Sequence, residues 1–276
     1  MKPRIARTFT RGLCQPRSRS CMMNCNLSFF RPMRPSLAAW ALPMLLLAMS
    51  AHAQDGAPDT PKAPAFKFTT GLYSSSAGGG LGLDLNLRHS SDFGNVWLGW
   101  FRSPRSDISQ TRAGWDRSFT LGPVRLMPSL QLASGGFVGG SAMVETGDSW
   151  FAGVGLGRTN LRNYVNLNFD PNDAWMLSGG YRWADNRSLA LQVVRDNRQN
   201  PDQQHVHLVW RTPLANGDRL TVDLLAKSGL VGGTEIHRIG LTVGYDWPRT
   251  FVRVAWDPKV NFTPQDMLRL SAGVRF

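Results

Sequence analysis

The sequence predicts an all-β fold, a transmembrane antiparallel up-and-down β-barrel, most simply of fourteen strands. Three observations predict it. From residue 66 to 276, short runs alternate apolar and polar residues with period two, separated by Gly, Pro, Asn and Asp, and no segment keeps a helical period. The runs match the roughly 9–11 residues of a tilted bilayer crossing. A leader for export precedes them.

The leader comes first. From Met33 the chain reads MRPSLAAWALPMLLLAMSAHAQ, with a basic n-region at Arg34, an apolar run over 37–49, and Ala51-His52-Ala53 before Gln54. This order marks 33–53 as a signal peptide cleaved after Ala53, and its apolar run is too short for a spanning helix. Residues 1–32 read as an overlong start or an extended n-region. All three cysteines, Cys14, Cys21 and Cys25, lie there, so a disulfide scaffold or thiolate metal site is excluded from the rest. The leader also holds eight of the 31 basic residues and no acid, so 23 bases face 19 acids beyond it. The net charge of +12 therefore overstates basicity, and nucleic acid is not expected as a partner. Residues 54–65 (QDGAPDTPKAPA) form a Pro/Ala-rich periplasmic lead, and 66–276 the barrel domain.

The clearest strands follow in order. Residues 162–169 put Val165, Leu167 and Phe169 on one face and Arg162, Tyr164, Asn166 and Asn168 on the other. Residues 188–196, 204–211, 219–227, 238–247 and 250–257 each have one wholly apolar face through the middle and one polar face. Trp150, Trp175, Trp183, Trp210, Tyr245, Trp247, Trp256 and Phe276 fall at strand ends on the outward parity, as interfacial girdles would. Lipid cannot hydrogen-bond an open sheet edge, so such strands must close.

The last stretch, 266–276 (DMLRLSAGVRF), sets Leu268, Leu270, Ala272, Val274 and Phe276 on one face. Ending on an aromatic residue, it resembles the closing strand of Gram-negative outer-membrane β-barrels. The resemblance implies residence in the outer membrane, contact with lipid and lipopolysaccharide, and recognition of 266–276 by the barrel-assembly machinery.

Two chain ends on one side of the membrane require an even strand count. Fifteen runs are visible, so one must be merged or lost. Gly122-Pro123 is the weakest break, and 114–132 is read as one long strand with a bulge there. That gives fourteen strands, with 103–113 as the longest outer loop. Twelve is the alternative, if 66–74 and another early run do not span. Residues 158–161 and 134–136 are then inner turns and 146–148 an outer one. Gly153, Gly155 and Gly157 share an inward face, which suits barrel curvature or, less simply, something packed against the wall.

The same parity fills the lumen with Arg125, Arg162, Arg182, Arg211, Arg219, Lys227, Arg238, Arg253, Arg269 and Arg275, against Glu145, Asp196, Asp223, Asp246 and Asp257. Rings of Arg and Lys favour anions, and low-dielectric walls focus their field. In this the chain is similar to the small porins for acidic sugars. The expected function is an outer-membrane diffusion channel for small anionic solutes. Its pore-lining residues would be Arg238, Arg253, Arg269, Arg125, Lys227, His205, His207 and Asp223, the first three forming an anion ladder.

Two other functions are considered. His207 beside Asp223 is a general-base pattern, so a lipid-modifying enzyme using His205, His207 and Asp223 is one alternative, although the inward serines, Ser178 and Ser188, lie on other strands. A non-conducting structural or assembly barrel is the other. His205-x-His207 alone gives two metal ligands, so no resident metal and no cofactor are expected. Asp170-Pro171-Asn172-Asp173 reads as a tight turn.

Overall fold

The strands that carry the alternating pattern close on themselves, which leaves no unpaired sheet edge for lipid to meet. In the computed structural model, which describes residues 64–76 and 80–276, the chain forms a closed antiparallel barrel of fourteen strands. They are β1 (Phe66–Ser75), β2 (Gly80–Ser91), β3 (Gly94–Ser103), β4 (Ile108–Asp116 continued by Phe119–Leu121), β5 (Val124–Ala133), β6 (Phe137–Thr146), β7 (Trp150–Thr159), β8 (Ala174–Arg182), β9 (Ser188–Asp196), β10 (Gln204–Pro213), β11 (Arg219–Val231), β12 (Thr234–Asp246), β13 (Thr250–Asp257) and β14 (Met267–Arg275). Each pairs with the next, and β14 pairs with β1 from Met267↔Ser75 to Arg275↔Lys67. Two backbone bonds between Phe66 and Phe276, 2.9 and 3.0 Å, finish the seam. The expected signal peptide and most of the expected 54–65 lead lie outside the described residues.

Fourteen is the expected number, but the sequence reaches it by the wrong merger. Gly122-Pro123 is a hairpin turn. Gly122 adopts φ +61°, and Leu121 pairs with Val124. The break in β4 falls instead opposite Pro128. Asp116↔Ser129 and Phe119↔Leu126 keep one register, and Arg117 donates to the Pro128 carbonyl at 3.2 Å. Proline has no N–H to return, so the ladder lapses there. The expected 103–113 loop shrinks to a 3₁₀ turn, Pro104–Ser106, with Asp107 left-handed at φ 50°.

The surplus run is 162–169, which is not a strand. Strands β7 and β8 pair directly, from Trp150↔Tyr181 to Leu156↔Trp175, and 160–173 is one excursion between them. Removing that crossing inverts the assignments between it and Gly122, while the connection near 103–107 stays at the outer end. The 147–149 turn lies at the end of the barrel that holds Phe66 and Phe276 (the basal end), where Trp150 meets Tyr181 edge-on at 4.8 Å and Tyr181 meets Trp183 edge-on at 4.9 Å. The 134–136 turn lies at the opposite, distal end.

The outward face is a lipid face. Leu191, Leu208, Leu224, Leu241, Trp256 and Leu268 stand side by side in register, each 42–48% exposed. A continuous exposed apolar band on a closed barrel is stable only in a bilayer. At the basal rim, aromatic contacts continue from Trp183 to Trp210 (5.7 Å), and Tyr245 meets Trp247 (4.7 Å) and Phe66 meets Phe276 (5.7 Å). Basal turns run from two to five residues, whereas the longest connections, 160–173, 197–203 and 258–266, are all distal, the pattern of periplasmic turns and external loops.

Candidate functional site

The lumen is crossed by residues 160–173, termed the strap. It leaves the wall between β7 and β8 and reaches β3 and β4 and, halfway round the sheet, β1 and β14. Its root is clasped by Asp173, which accepts from the Thr159 N–H (3.1 Å), the Thr159 hydroxyl (2.5 Å) and Arg198 (3.1 Å). Burial opposes ionisation of Asp173, but these donors prevail and lower its pKa.

Midway, Asn166 folds the strap on itself. Its side-chain oxygen accepts from the N–H groups of Asn168 and Phe169, and its amide donates to the Asp170 carbonyl at 2.6 Å. Phe169 takes the left-handed φ of +71°. For a bulky residue that conformation costs on the order of 1–3 kcal/mol.

The packing of its ring offsets that cost. Leu167 and Phe169 bury against Tyr73, Phe101 and Val260 inside the barrel, and a buried Leu or Phe contributes about 1.5–3 kcal/mol. Polar contacts fix the rest. The Gln110 amide donates to the Val165 carbonyl (3.0 Å) and accepts its N–H (2.8 Å). Tyr164 stacks on Phe137 at 4.1 Å and bonds Gln131. Asn261 donates to the Asn166 carbonyl at 2.9 Å and Arg269 to that of Leu167 at 3.4 Å.

Asp170 anchors the strap to β10. One carboxylate oxygen meets His205 Nδ1 at 2.7 Å and His207 Nε2 at 3.0 Å, while His207 Nδ1 meets Asp223 of β11 at 3.0 Å. Burial opposes ionisation of Asp170, yet its side chain is 36% exposed, and the imidazole bonds hold its carboxyl well below the usual carboxylate range. His205 is fully buried, stacked on Phe262 at 5.3 Å, and its Nε2 has no hydrogen-bond partner. Both nitrogens of His207 already face carboxylates, so the general-base pattern of His207 and Asp223 has no nitrogen left to take a substrate's proton.

A cavity of about 570 Å³ lies basal to the strap, lined by Lys67, Asp84, Arg88, Trp97, Arg112, Arg253 and Arg269, with Leu167 and Asn168 of the strap facing it. A distal cavity of about 460 Å³ is lined by the strap itself and by 199–203 and 261–263. Gly157 makes room for the excursion, since a Cβ there would stand 2.4 Å from the Asn172 carbonyl. Against Gly153 and Gly155 the nearest side chains are the barrel's own Met143, Met176 and Ser178.

The acids of the lumen have partners. Asp84 pairs with Arg112, Asp116 with Arg88 (3.2 Å), Glu145 with Arg125 (3.3 Å) and Arg182 (2.7 Å), Asp246 with Arg219 (3.7 Å) and Arg275, and Asp257 with Lys227. Asp196 accepts three backbone N–H groups, from Arg198, Gln199 and Asn200. Among the described residues, Lys67, Arg211, Arg253 and Arg269 face the lumen with no carboxylate partner, as does Arg238 nearer the distal rim.

The sequence-selected residues therefore separate. Arg253 and Arg269 adjoin in the basal cavity, where Arg253 pairs in register with Ser271. Arg238 pairs with Lys227 six positions distal to Gly244, the residue level with Arg253, so it lies about 20 Å away along the strand. It is exposed and donates to its neighbour's carbonyl, and the three do not form one ladder. Lys227 is buried and neutralised, and Arg125 shares Glu145 with Arg182. Arg162 is exposed on the strap. Sequence reasoning missed Lys67 and Tyr73 because β1 had no secure parity, and missed Asp170 because its segment was read as a turn.

No family model matches the chain, and no curated protein matches it. Solved structures do. The outer membrane protein Omp33 of Acinetobacter baumannii is similar with a TM-score of 0.50 and 11% identity, over 77% of this chain and 98% of that one. A NanC porin gives 0.43 and 8%, over 76% and 100%. A KdgM porin in complex with disordered oligogalacturonate gives 0.36 and 10%, over 76% and 99%. Only the first superposes well enough to speak, and it speaks for the fold: this chain has the barrel of an outer-membrane protein.

Proposed function

We propose that the barrel is an outer-membrane diffusion channel whose lumen prefers small anionic solutes. One observation carries this reading. After every luminal acid has found a partner, Lys67, Arg211, Arg253 and Arg269 remain below the rim, and Lys67, Arg253 and Arg269 line the basal cavity. Unmatched cations within low-dielectric walls attract anions and raise their local concentration. The cavity also offers Trp97, Tyr73 and Asn86, apolar faces and hydrogen-bonding groups for a small polar solute.

Planar-bilayer recordings across a salt gradient test the proposal. The wild type should show an anion-preferring reversal potential. Replacing Arg253 and Arg269 together by Ser should move it toward zero, most at low salt, where the Debye length is roughly 30 Å at 0.01 M. Arg238→Ser should change it little. Cation preference in the wild type would overturn the reading. The strap's span favours one other reading, a barrel closed to solutes, and a wild-type protein that inserts without conducting would support that instead.

A further inference from the structure

Three donor atoms converge where the strap meets the wall. His205 Nδ1, His207 Nε2 and an Asp170 carboxylate oxygen lie within 4.8 Å of one another. The two histidines share the inward face of β10, and the carboxylate arrives from the strap. Two imidazoles and one carboxylate are a donor set for zinc-class divalent ions, not for calcium or magnesium, which take oxygen. An ion about 2 Å from each donor needs donors roughly 3.3 Å apart. The observed 2.7 and 3.0 Å would open by a few tenths of an ångström.

His207 Nδ1 stands 3.0 Å from Asp223 and its Nε2 3.0 Å from Asp170. Without an ion, the two N–H groups of a protonated imidazole serve both carboxylates, and an ion takes the place of the Nε2 proton, which is released to solvent. Asp223 behind His207 is the carboxylate that commonly orients a ligating histidine and raises its basicity.

We propose that Asp170, His205 and His207 bind one divalent transition-metal ion of the zinc class, which latches the strap to β10. Three protein ligands leave a fourth position for water. Asp223 is a positioning residue that acts through His207. The site requires only the folded barrel, whether or not it conducts.

The test uses the refolded barrel in detergent, stripped with EDTA and titrated calorimetrically with zinc chloride. The wild type should take up one equivalent in a saturable step. His205→Ala and His207→Ala should each abolish that step. Asp223→Asn should weaken it about 10–100-fold with unchanged stoichiometry. His237→Ala, which alters the exposed pair His237–Glu235, should leave it unchanged. Folding of each variant is checked by unheated gel mobility. Cobalt(II) added to the wild type gives a readout that needs no variant, because histidine ligation produces visible d–d absorption. No one-equivalent step, no cobalt spectrum, or binding that survives the loss of both histidines would overturn the proposal. An unchanged Asp223→Asn affinity would overturn the role given to Asp223.

Discussion

Asp170 shows how one side chain ties local sequence to the state of the lumen. Its folded-state pKa lies below the ordinary carboxylate value, so its contribution to the seated strap is fully present above about pH 4. That contribution is lost only as pH falls through the lower, folded-state value. Hydrogen-exchange protection of the Val165 N–H, corrected for intrinsic rates, should therefore hold steady from pH 7 to pH 5. Loss of protection within that window would mean that Asp170 does not hold the strap. The histidines were legible in the sequence, since parity alone turns His205 and His207 inward. Their partner was not, because Asp170-Pro171-Asn172-Asp173 has the residues of a tight turn whatever it touches.

The strap is also the element that the sequence concealed. Val165, Leu167 and Phe169 alternate as a lipid-facing strand would, but they bury Leu167 and Phe169 inside the barrel against Tyr73 and Phe101. Period-two alternation reports a two-sided environment and does not say which side is lipid. The odd number of runs did signal an error. In the sequence Gly122-Pro123 is the weakest break, although a glycine before proline suits a hairpin turn equally well. Elsewhere the pattern is unambiguous, as in β10 to β13, where structure and alternation agree residue by residue. Two expectations belong at this scale. Replacing Leu167 and Phe169 by Ser should unseat the strap, remove about 1.5–3 kcal/mol of burial per residue, and raise conductance across bilayers. An unchanged conductance with both replaced would mean that the strap does not limit passage. Leu224→Arg, in the middle of the lipid row, should cost roughly 2–4 kcal/mol in a lipid folding equilibrium, and a neutral result would take Leu224 out of the bilayer midplane.

For the molecule as a whole, composition and pattern were enough for the architecture and not for the interior. The strand number follows from an even closure, and the outward face from hydrophobic parity, both properties of backbone geometry. The lumen depends on which charges meet, and that requires the register. Arg253 and Arg269 adjoin only because β13 and β14 are offset as they are, and the register of β12 against β13 leaves Arg238 near the rim. The strap's reach has a kinetic consequence. Its far contacts, Tyr73 on β1 and Arg269 on β14, are on the two strands that meet last, joining residues as far apart in sequence as Thr70 and Ala272, 202 positions. The strap's seat around Leu167 and Phe169, against Tyr73 and under Arg269, is complete only when that seam exists, so these contacts form late in folding. Phe169→Ala should leave the refolding rate in lipid unchanged and accelerate unfolding, a φ-value near zero. Equal slowing of refolding would place the strap in the transition state and make it a template around which the barrel closes.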